Sequence, residues 1–534
     1  MSNSQWPSEL KCLIRSIAGQ QTIVLAVLWS LFFGTGLFGT GCNRETPPSR
    51  VVTPTAVSEL TTDQEASIER FCASCHLLPA AATFPKEAWP AEVRQAFDFY
   101  KASGRRDSDV PAQEDCVAYF RRGAPDELSL ARPTLPDWPH SIDRIAVPAA
   151  GGNPSTAGLA WGELVAGEPP VLLYCDMRNG DVGWVDPRSP ERRGRLATLR
   201  NPGRVRICDL DRDGLNDVLV SELGSFRPAD HDRGEVVWLR QSKEGKWSPI
   251  VLARKLGRVC DVAPVDIDQD GDLDLAVAEF GWHKTGSLLL LENTGFQNGK
   301  AEFKPRTVDK RPGTIDVHVT DVNGDGRPDL IALISQEFET VEAYINDGAG
   351  GFEKKTISPP EDPSYGSSGI ELADIDGDGD QDLLYTNGDS FDSAYLKPFH
   401  GIQWLENRGE FPYVKHRLAD MVGAHRAVLI DLDRDGDQDI VAAAFLPTKR
   451  SEPTGDLPSV LCLEQVSAGQ FEPRVLERGR FEHPALLAAD FDGDNTAELA
   501  LPMFRFERGE EIPQLELWRI PAADGRRSNG RLPE

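Results

Sequence analysis

The sequence predicts a mainly β protein: a seven-bladed β-propeller preceded by a small all-α domain. Three observations carry this. One acidic loop recurs six times, 53–59 residues apart, which is the signature of a repeat architecture. Each copy is accompanied by four strand-like segments, the content of a propeller blade. Ahead of the repeats, residues 60–125 switch to helical periodicity.

The chain begins with a polar stretch, residues 1–22, carrying Lys11 and Arg15. An apolar run follows over 23–38 (IVLAVLWSLFFGTGLF), then Gly39, Thr40, Gly41 and Cys42. A charged start, an apolar core and a small-residue end read as a signal peptide. The Gly-Cys end resembles a bacterial lipoprotein cleavage site. That resemblance implies lipidation of Cys42, a membrane anchor through the N-terminal lipid and, with Asn43 rather than Asp next, the outer membrane. Gly39 departs from the Leu usual there. An uncleaved anchor is the competing reading, since the apolar segment approaches the ~20 residues a span needs. In either case the remainder is exported to the periplasm or cell surface. Residues 43–59 are rich in Pro, Thr and Ser and read as a tether.

The helical domain spans 60–125. Thr62 and Glu65 form a capping box that opens the first helix. Ile68, Phe71, Cys72 and Cys75 then share one face. Pro90 suits the first turn of a second helix carrying Val93, Phe97 and Tyr100. Pro111 opens a third, with Val117 and Phe120 inward. Within the first helix stands Cys72-Ala-Ser-Cys75-His76, the C-x-x-C-H sequence of c-type haem attachment. Two thiols one helical turn apart suit bonds to two haem vinyl groups, with His76 the iron ligand. A thioredoxin-like site would want a βαβ context, and a zinc site a second ligand pair; neither is seen nearby. Three short helices around this motif resemble a small class I cytochrome c. The resemblance implies covalent haem c on Cys72, Cys75 and His76. One departure is the distal ligand, because no Met lies between His76 and His140. The sixth iron position is left open, or to His140 or Met177. Residues 126–139 are a Pro-rich linker.

The six loops are Asp209, Asp211, Asp213 and Asp217; Asp266, Asp268, Asp270 and Asp274; Asp321, Asn323, Asp325 and Asp329; Asp374, Asp376, Asp378 and Asp382; Asp431, Asp433, Asp435 and Asp439; and Asp490, Asp492, Asp494 and Glu498. Carboxylates at positions 1, 3 and 5 converge when a loop wraps, and Gly at position 6 permits the turn. This is the front half of an EF-hand calcium loop. Position 12 is apolar or Tyr rather than Glu, and the acid falls at position 9, just before a strand such as Val218-Leu-Val220. Calcium loops between β-strands are therefore expected. In the sixth copy Asn495 stands where the others have Gly.

The pattern resembles the FG-GAP/VCBS repeats of integrin-like propellers over residues 140–520. A seventh unit without an acidic loop is expected at 157–200. Residues 140–147 look like an outer strand with no blade before them, and the last unit, 486–520, lacks one; pairing the two would close the ring and remove its edges. Residues 521–534 are a polar tail.

With 85 acidic against 57 basic residues the formal charge is −28, and no basic patch speaks for nucleic acid. Cys116, Cys175, Cys208, Cys260 and Cys462 have no framework spacing and read as small core residues. The leading functional expectation is an exported electron-transfer haem protein, exchanging electrons with a protein or small-molecule partner. One alternative is a calcium-stabilised adhesion or carbohydrate-binding propeller with accessory haem, taking a glycan or protein on loops such as 226–233 and 363–369. Another is a haem-dependent oxidoreductase or peroxidase. No catalytic residue is assigned.

Overall fold

The computed structural model describes residues 60–520 apart from 108, 298–299, 392–394 and 447–453; the signal segment with Cys42, the tether and the tail lie outside the described residues. The first helix, α1 (Thr62–Cys72), starts one residue earlier than its capping box predicts. Thr61 is the N-cap: its Oγ1 accepts from Gln64 N at 3.3 Å, and Gln64 Oε1 accepts from Thr61 N at 2.9 Å. Two adjacent threonines, each three residues from a Glu or Gln, offer the same box in two registers, and the structure takes Thr61 and Gln64. Helix α2 (Trp89–Ser103) carries Pro90 in its first turn and stops at Gly104, where φ is +74°. Helix α3 is Gln113–Gly123. Ile68, Phe84, Trp89, Val93, Phe97, Cys116 and Phe120 form their shared core, with Trp89 and Phe120 stacked at 4.1 Å.

The remaining chain forms seven four-stranded antiparallel sheets, a seven-bladed β-propeller. The first strands of the blades are Thr156–Gly162, Pro202–Cys208, Val259–Val265, Thr314–Thr320, Ser367–Ala373, Ala424–Ile430 and Leu487–Ala489. Each adjoins its neighbour, and the last adjoins the first, so they form the inner wall. Second strands such as Asp217–Glu222, Asp274–Glu279 and Asp439–Ala444 are buried at every residue. They are covered on both faces by neighbouring blades, which is why they read as continuous apolar runs rather than alternating ones. Blade 1 is the unit without an acidic loop (Thr156–Gly162, Val171–Asp176, Asp181–Asp186, Ser189–Thr198). Blade 7 takes its outer strand from the front of the chain. Asp143–Val147 pairs with Leu515–Arg519, Val147 opposite Leu515 and Asp143 opposite Arg519, and the ring closes without a free edge there.

Strand alternation sorts the connections between two faces. Loops from first to second strand carry the acidic residues on one face. Loops from second to third strand, and from each blade to the next, lie on the other. The helical unit sits on that second face. Ala80 N donates to Asp362 Oδ2 at 2.6 Å, Tyr395 Oη donates to Glu87 Oε1 at 3.4 Å, and the Phe99 and His283 rings lie 4.2 Å apart.

The inner strands share a bulge at their second residue. The residue after it is Gly158, Arg204, Asp261, Asp316, Gly369 or Arg426. Arg204 of blade 2 pairs with Asp261 at 2.9 Å and reaches Asp316 of blade 4; Arg426 of blade 6 reaches the same carboxylate. Asp261 and Asp316 are fully buried. The two pairs to Asp316 tie blades that are not neighbours, blades 2 and 6 to blade 4, across the axis. Gly369 makes room for one of them, since a Cβ there would meet Arg426 Nη1 at 2.2 Å.

Candidate metal loops and haem-attachment motif

Five of the six acidic loops wrap around their first carboxylate through backbone N–H groups; in the fifth, Asp431 Oδ1 is shielded and without a partner. In the first, Asp209 accepts from Asp213 N at 3.1 Å and from Gly214 N at 2.9 Å. In the third, Asp321 accepts from Asp325 N at 3.1 Å and Gly326 N at 2.7 Å. Position 6 requires a left-handed backbone, with φ +85° at Gly214 and +101° at Gly436. Asn495 meets that requirement at +66°, so the sixth loop keeps the turn without glycine. Position 4 is left-handed too, at Arg212, Gln269 and Arg434 as well as at glycines, a demand the residue types do not reveal.

The wrapping brings carboxylate oxygens within 4.8 Å of one another in five loops: Asp209/Asp211/Asp213, Asp266/Asp268/Asp270, Asp374/Asp376/Asp382, Asp431/Asp433/Asp435 and Asp490/Asp492/Asp494/Glu498. Asp378 is not in its cluster. Several oxygens in or beside these clusters are shielded from solvent and have no hydrogen-bond partner: Asp211 Oδ1, Asp272 Oδ1, Asp431 Oδ1 and Asp437 Oδ1. A buried carboxylate oxygen without a donor is costly. A hard cation that takes six to eight oxygens would satisfy these, so the donor set fits calcium.

The third loop differs. Asn323 stands at position 3, so the loop offers an amide oxygen there in place of a third clustered carboxylate. Arg327, at position 7, turns its guanidinium onto Asp325, while its Nε donates to Asn346 O at 3.1 Å. Asn323 Nδ2 donates to the same carboxylate at 2.8 Å. Guanidinium groups also reach the first loop, Arg240 on Asp211 at 2.5 Å, and the sixth, Arg519 on Asp492 at 3.3 Å, but among the described residues only in the third does the arginine come from the loop itself.

Position 9 does more than close the loop. Asp217 accepts Leu210 N on one oxygen (3.3 Å) and Gln241 N on the other (2.8 Å). Asp274, Asp329, Asp382 and Asp439 repeat this, each joining position 2 of its loop to the end of the third strand. Burial pushes Asp217, Asp274 and Asp382 up to about 6 and Asp439 and Glu498 up to about 7, against the pull of those amide donors. Asp382 and Glu498 also stand within their carboxylate clusters; Asp217, Asp274, Asp329 and Asp439 act as clasps within the blade.

On the helical unit, Cys72 ends α1, and Cys75 and His76 follow in the turn. The Phe71 ring lies 5.4 Å from Phe97 and 5.0 Å from Tyr100, fixing the helix end. Both thiols are unbonded, Cys72 half-buried and Cys75 exposed. Arg105 Nη1 donates to Cys75 Sγ at 2.8 Å and to Ser74 Oγ at 3.0 Å. Cys116, read from sequence as a plain core residue, packs in the same core as Cys72, and the two thiols affect one another: the Cys72 pKa is lowered and that of Cys116 raised. His76 Nδ1 donates to Leu77 O at 2.7 Å. A carbonyl can only accept, so this tautomer leaves the Nε2 lone pair available to a metal. Leu77, Phe99 and Val110, all large and apolar, are exposed on this unit. One exposed and one half-buried thiol, a histidine with its second nitrogen tied down and exposed apolar side chains on the same unit are compatible with covalent haem. Of the proposed distal ligands, Met177 is buried in an aromatic cluster on the propeller, and the His140 ring packs on Trp138 at 5.7 Å beside the outer edges of blades 6 and 7.

Segments expected to be free for binding are used internally. Phe226 stacks on Phe504, and Asp230 accepts from Lys284 N and Thr285 N. Ser364 Oγ donates to Asp362, and Tyr365 is buried. The scattered histidines are largely structural: His483 bridges Pro502 O and Glu477, and His416 pairs with Glu406 at 2.6 Å.

The FG-GAP-like repeat family matches residues 209–277 and 321–385. The chain carries FG-GAP-like repeats. No curated protein sequence matches it. Among solved structures, the V. cholerae biofilm matrix protein Bap1 is similar at 11% identity and a TM-score of 0.34, over 70% of this chain and 84% of that one.

Proposed function

We propose that this is an exported c-type haem protein in which a calcium-stabilised propeller acts as the binding scaffold and the helical unit carries electrons. The observation that carries the reading is the C-x-x-C-H site itself. Cys72 and Cys75 are unbonded, the first half-buried and the second exposed, and His76 has Nε2 left free by the Leu77 carbonyl. When bound, haem supplies a reversible one-electron couple. The chain's own part is to hold it: two thioether bonds through Cys72 and Cys75, and an iron ligand from His76 whose basicity and ring orientation the Leu77 carbonyl sets. The Arg105 guanidinium beside Cys75 places a positive charge near the attachment point. Export through a lipid anchor on Cys42 belongs to the same reading, since the attachment chemistry operates outside the cytoplasm.

A second reading is adhesion or glycan binding by the propeller, with haem accessory. It draws on the FG-GAP-like repeats and on the acidic face, which lies away from the helical unit. The two separate in one experiment on protein exported by a host competent in haem attachment. A pyridine haemochrome spectrum and a redox titration should give one covalent haem per chain with a reversible couple, and Cys72→Ala with Cys75→Ala should remove both. A chain that binds glycan equally well without these cysteines, and shows no covalent haem, moves the assignment to adhesion.

A further inference from the structure

The chain is strongly acidic, yet the axis of the ring is lined by arginine. Arg204, Arg206 and Arg426 project from the inner strands, and each is matched: Arg204 and Arg206 by Asp261, Arg204 and Arg426 by Asp316. Arg258 breaks the pattern. It stands immediately before the inner strand Val259–Val265, at the mouth of the axis on the helical-unit face. Its guanidinium makes no hydrogen bond and no ion pair with any described residue, and its Nε is shielded from solvent. It rests on the Phe280 ring, 5.7 Å from the centroid. Phe280 leads through Trp282 (6.2 Å) and His283 (4.7 Å) to Phe99 of the helical unit. On its other side Cys260 belongs to a cluster with Met177, Phe226, Phe391, Phe445, Phe504 and Phe506.

Arg258 is partly buried, and its shielded Nε is a donor with no acceptor, which costs free energy that the face of one phenylalanine offsets only in part. Burial lowers its pKa, with Cys260 and Asp389 opposing from a distance. Three neighbouring arginines in the same axis have buried carboxylate partners, and Arg258 has none among the described residues. Arg178 and Arg227 also stack on this aromatic cluster, over Phe226 and Phe506, but Arg178 donates to the Arg505 and Phe506 carbonyls and Arg227 pairs with Glu507, so Arg258 is the cation beside it left without an acceptor among the described residues. One polar anchor beside apolar walls is the layout of a small-ligand site. The geometry points to an oxyanion-binding site at this mouth, in which Arg258 holds the carboxylate or phosphate group of a small ligand and Phe280 with the adjacent aromatic cluster receives its apolar part. The ligand comes from outside the chain and lies between the axis and the helical unit. The site stands on the propeller alone and does not depend on haem being attached.

The test is calorimetric titration of the exported chain with benzoate and, separately, with inorganic phosphate. One saturable site per chain is expected, with benzoate binding more tightly than phosphate if the aromatic walls take part. Arg258→Met should lose binding by about tenfold or more, the scale of a charge-assisted pair. It should also unfold at a higher temperature than the parent, since a shielded donor without an acceptor is gone. Arg258→Lys keeps the cation and should retain weakened binding, which guards against a Met variant that fails to fold. Absence of saturable binding of both anions to the parent chain overturns the proposal, as does an Arg258→Met chain that binds like the parent.

Discussion

The two faces of the propeller are built by opposite means. One is a single device copied: six loops of the same length, five of them wrapped around the first Asp and five clasped to the third strand by an Asp at position 9. The other face has no repeat. It gathers α1–α3, an aromatic cluster drawn from several blades and the unmatched Arg258 through contacts between residues far apart in the chain. A copied face can be altered one loop at a time, and the third loop shows how: Arg327 stands where its fifth counterpart, at Asp431, leaves shielded oxygens without a partner. The irregular face has no spare copies, so changes there fall on unique contacts.

The largest effect should come from attacking the copied face as a whole. Exhaustive chelation should lower the melting temperature strongly, because each occupied loop contributes on the order of 2–3 kcal/mol when calcium is about a hundredfold above its Kd. Differential scanning calorimetry with and without chelator measures it; identical curves would remove calcium from the account. Next comes the axis that joins the faces. Asp316→Asn leaves Arg204 and Arg426 facing an uncharged amide in a buried site, and urea unfolding should register a loss of about 3–5 kcal/mol. A loss near zero would mean the cross-axis pairs hold nothing together.

A smaller and more discriminating change is Arg327→Ala. Removing the built-in guanidinium should raise the calcium count by one relative to the parent, read by elemental analysis after equilibrium dialysis. An unchanged count would show that the third loop binds calcium with Arg327 in place, or not at all. The smallest effect concerns pH. Glu477 is buried, but His483 and Arg480 hold its carboxyl down at about 2. Its folded pKa lies below the unfolded value near 4.5, so the stability it contributes is present above that value and is lost as pH falls toward 2. Glu477→Gln should flatten that part of the stability profile relative to the parent; parallel profiles would refute the assignment.

Much of the ring was legible because repetition is legible. The spacing of Asp209, Asp266, Asp321, Asp374, Asp431 and Asp490 marked the blades, and residues 140–147 announced the closing strand that pairs with Leu515–Arg519. The C-x-x-C-H residues were legible as a motif. The rest was not. Arg204, Asp261, Asp316 and Arg426 sit one per inner strand, and no local pattern says that two of them meet across the axis. Arg327 looks like any loop residue until its side chain is seen folded onto Asp325. Cys116 is 44 residues from Cys72, and only the packing of α3 on α1 puts the two side by side.

Amino-acid order by itself determined the number of blades, the acidic loops and the thiol pair with its histidine, because these depend on near-neighbour spacing and on backbone demands such as a left-handed turn at position 6. Tertiary structure alone decided which carboxylates keep unpaired oxygens, which arginine is left without a partner and which face carries the helices. Those outcomes depend on desolvation and on distances between residues tens to hundreds of positions apart, and neither quantity exists until the ring has closed.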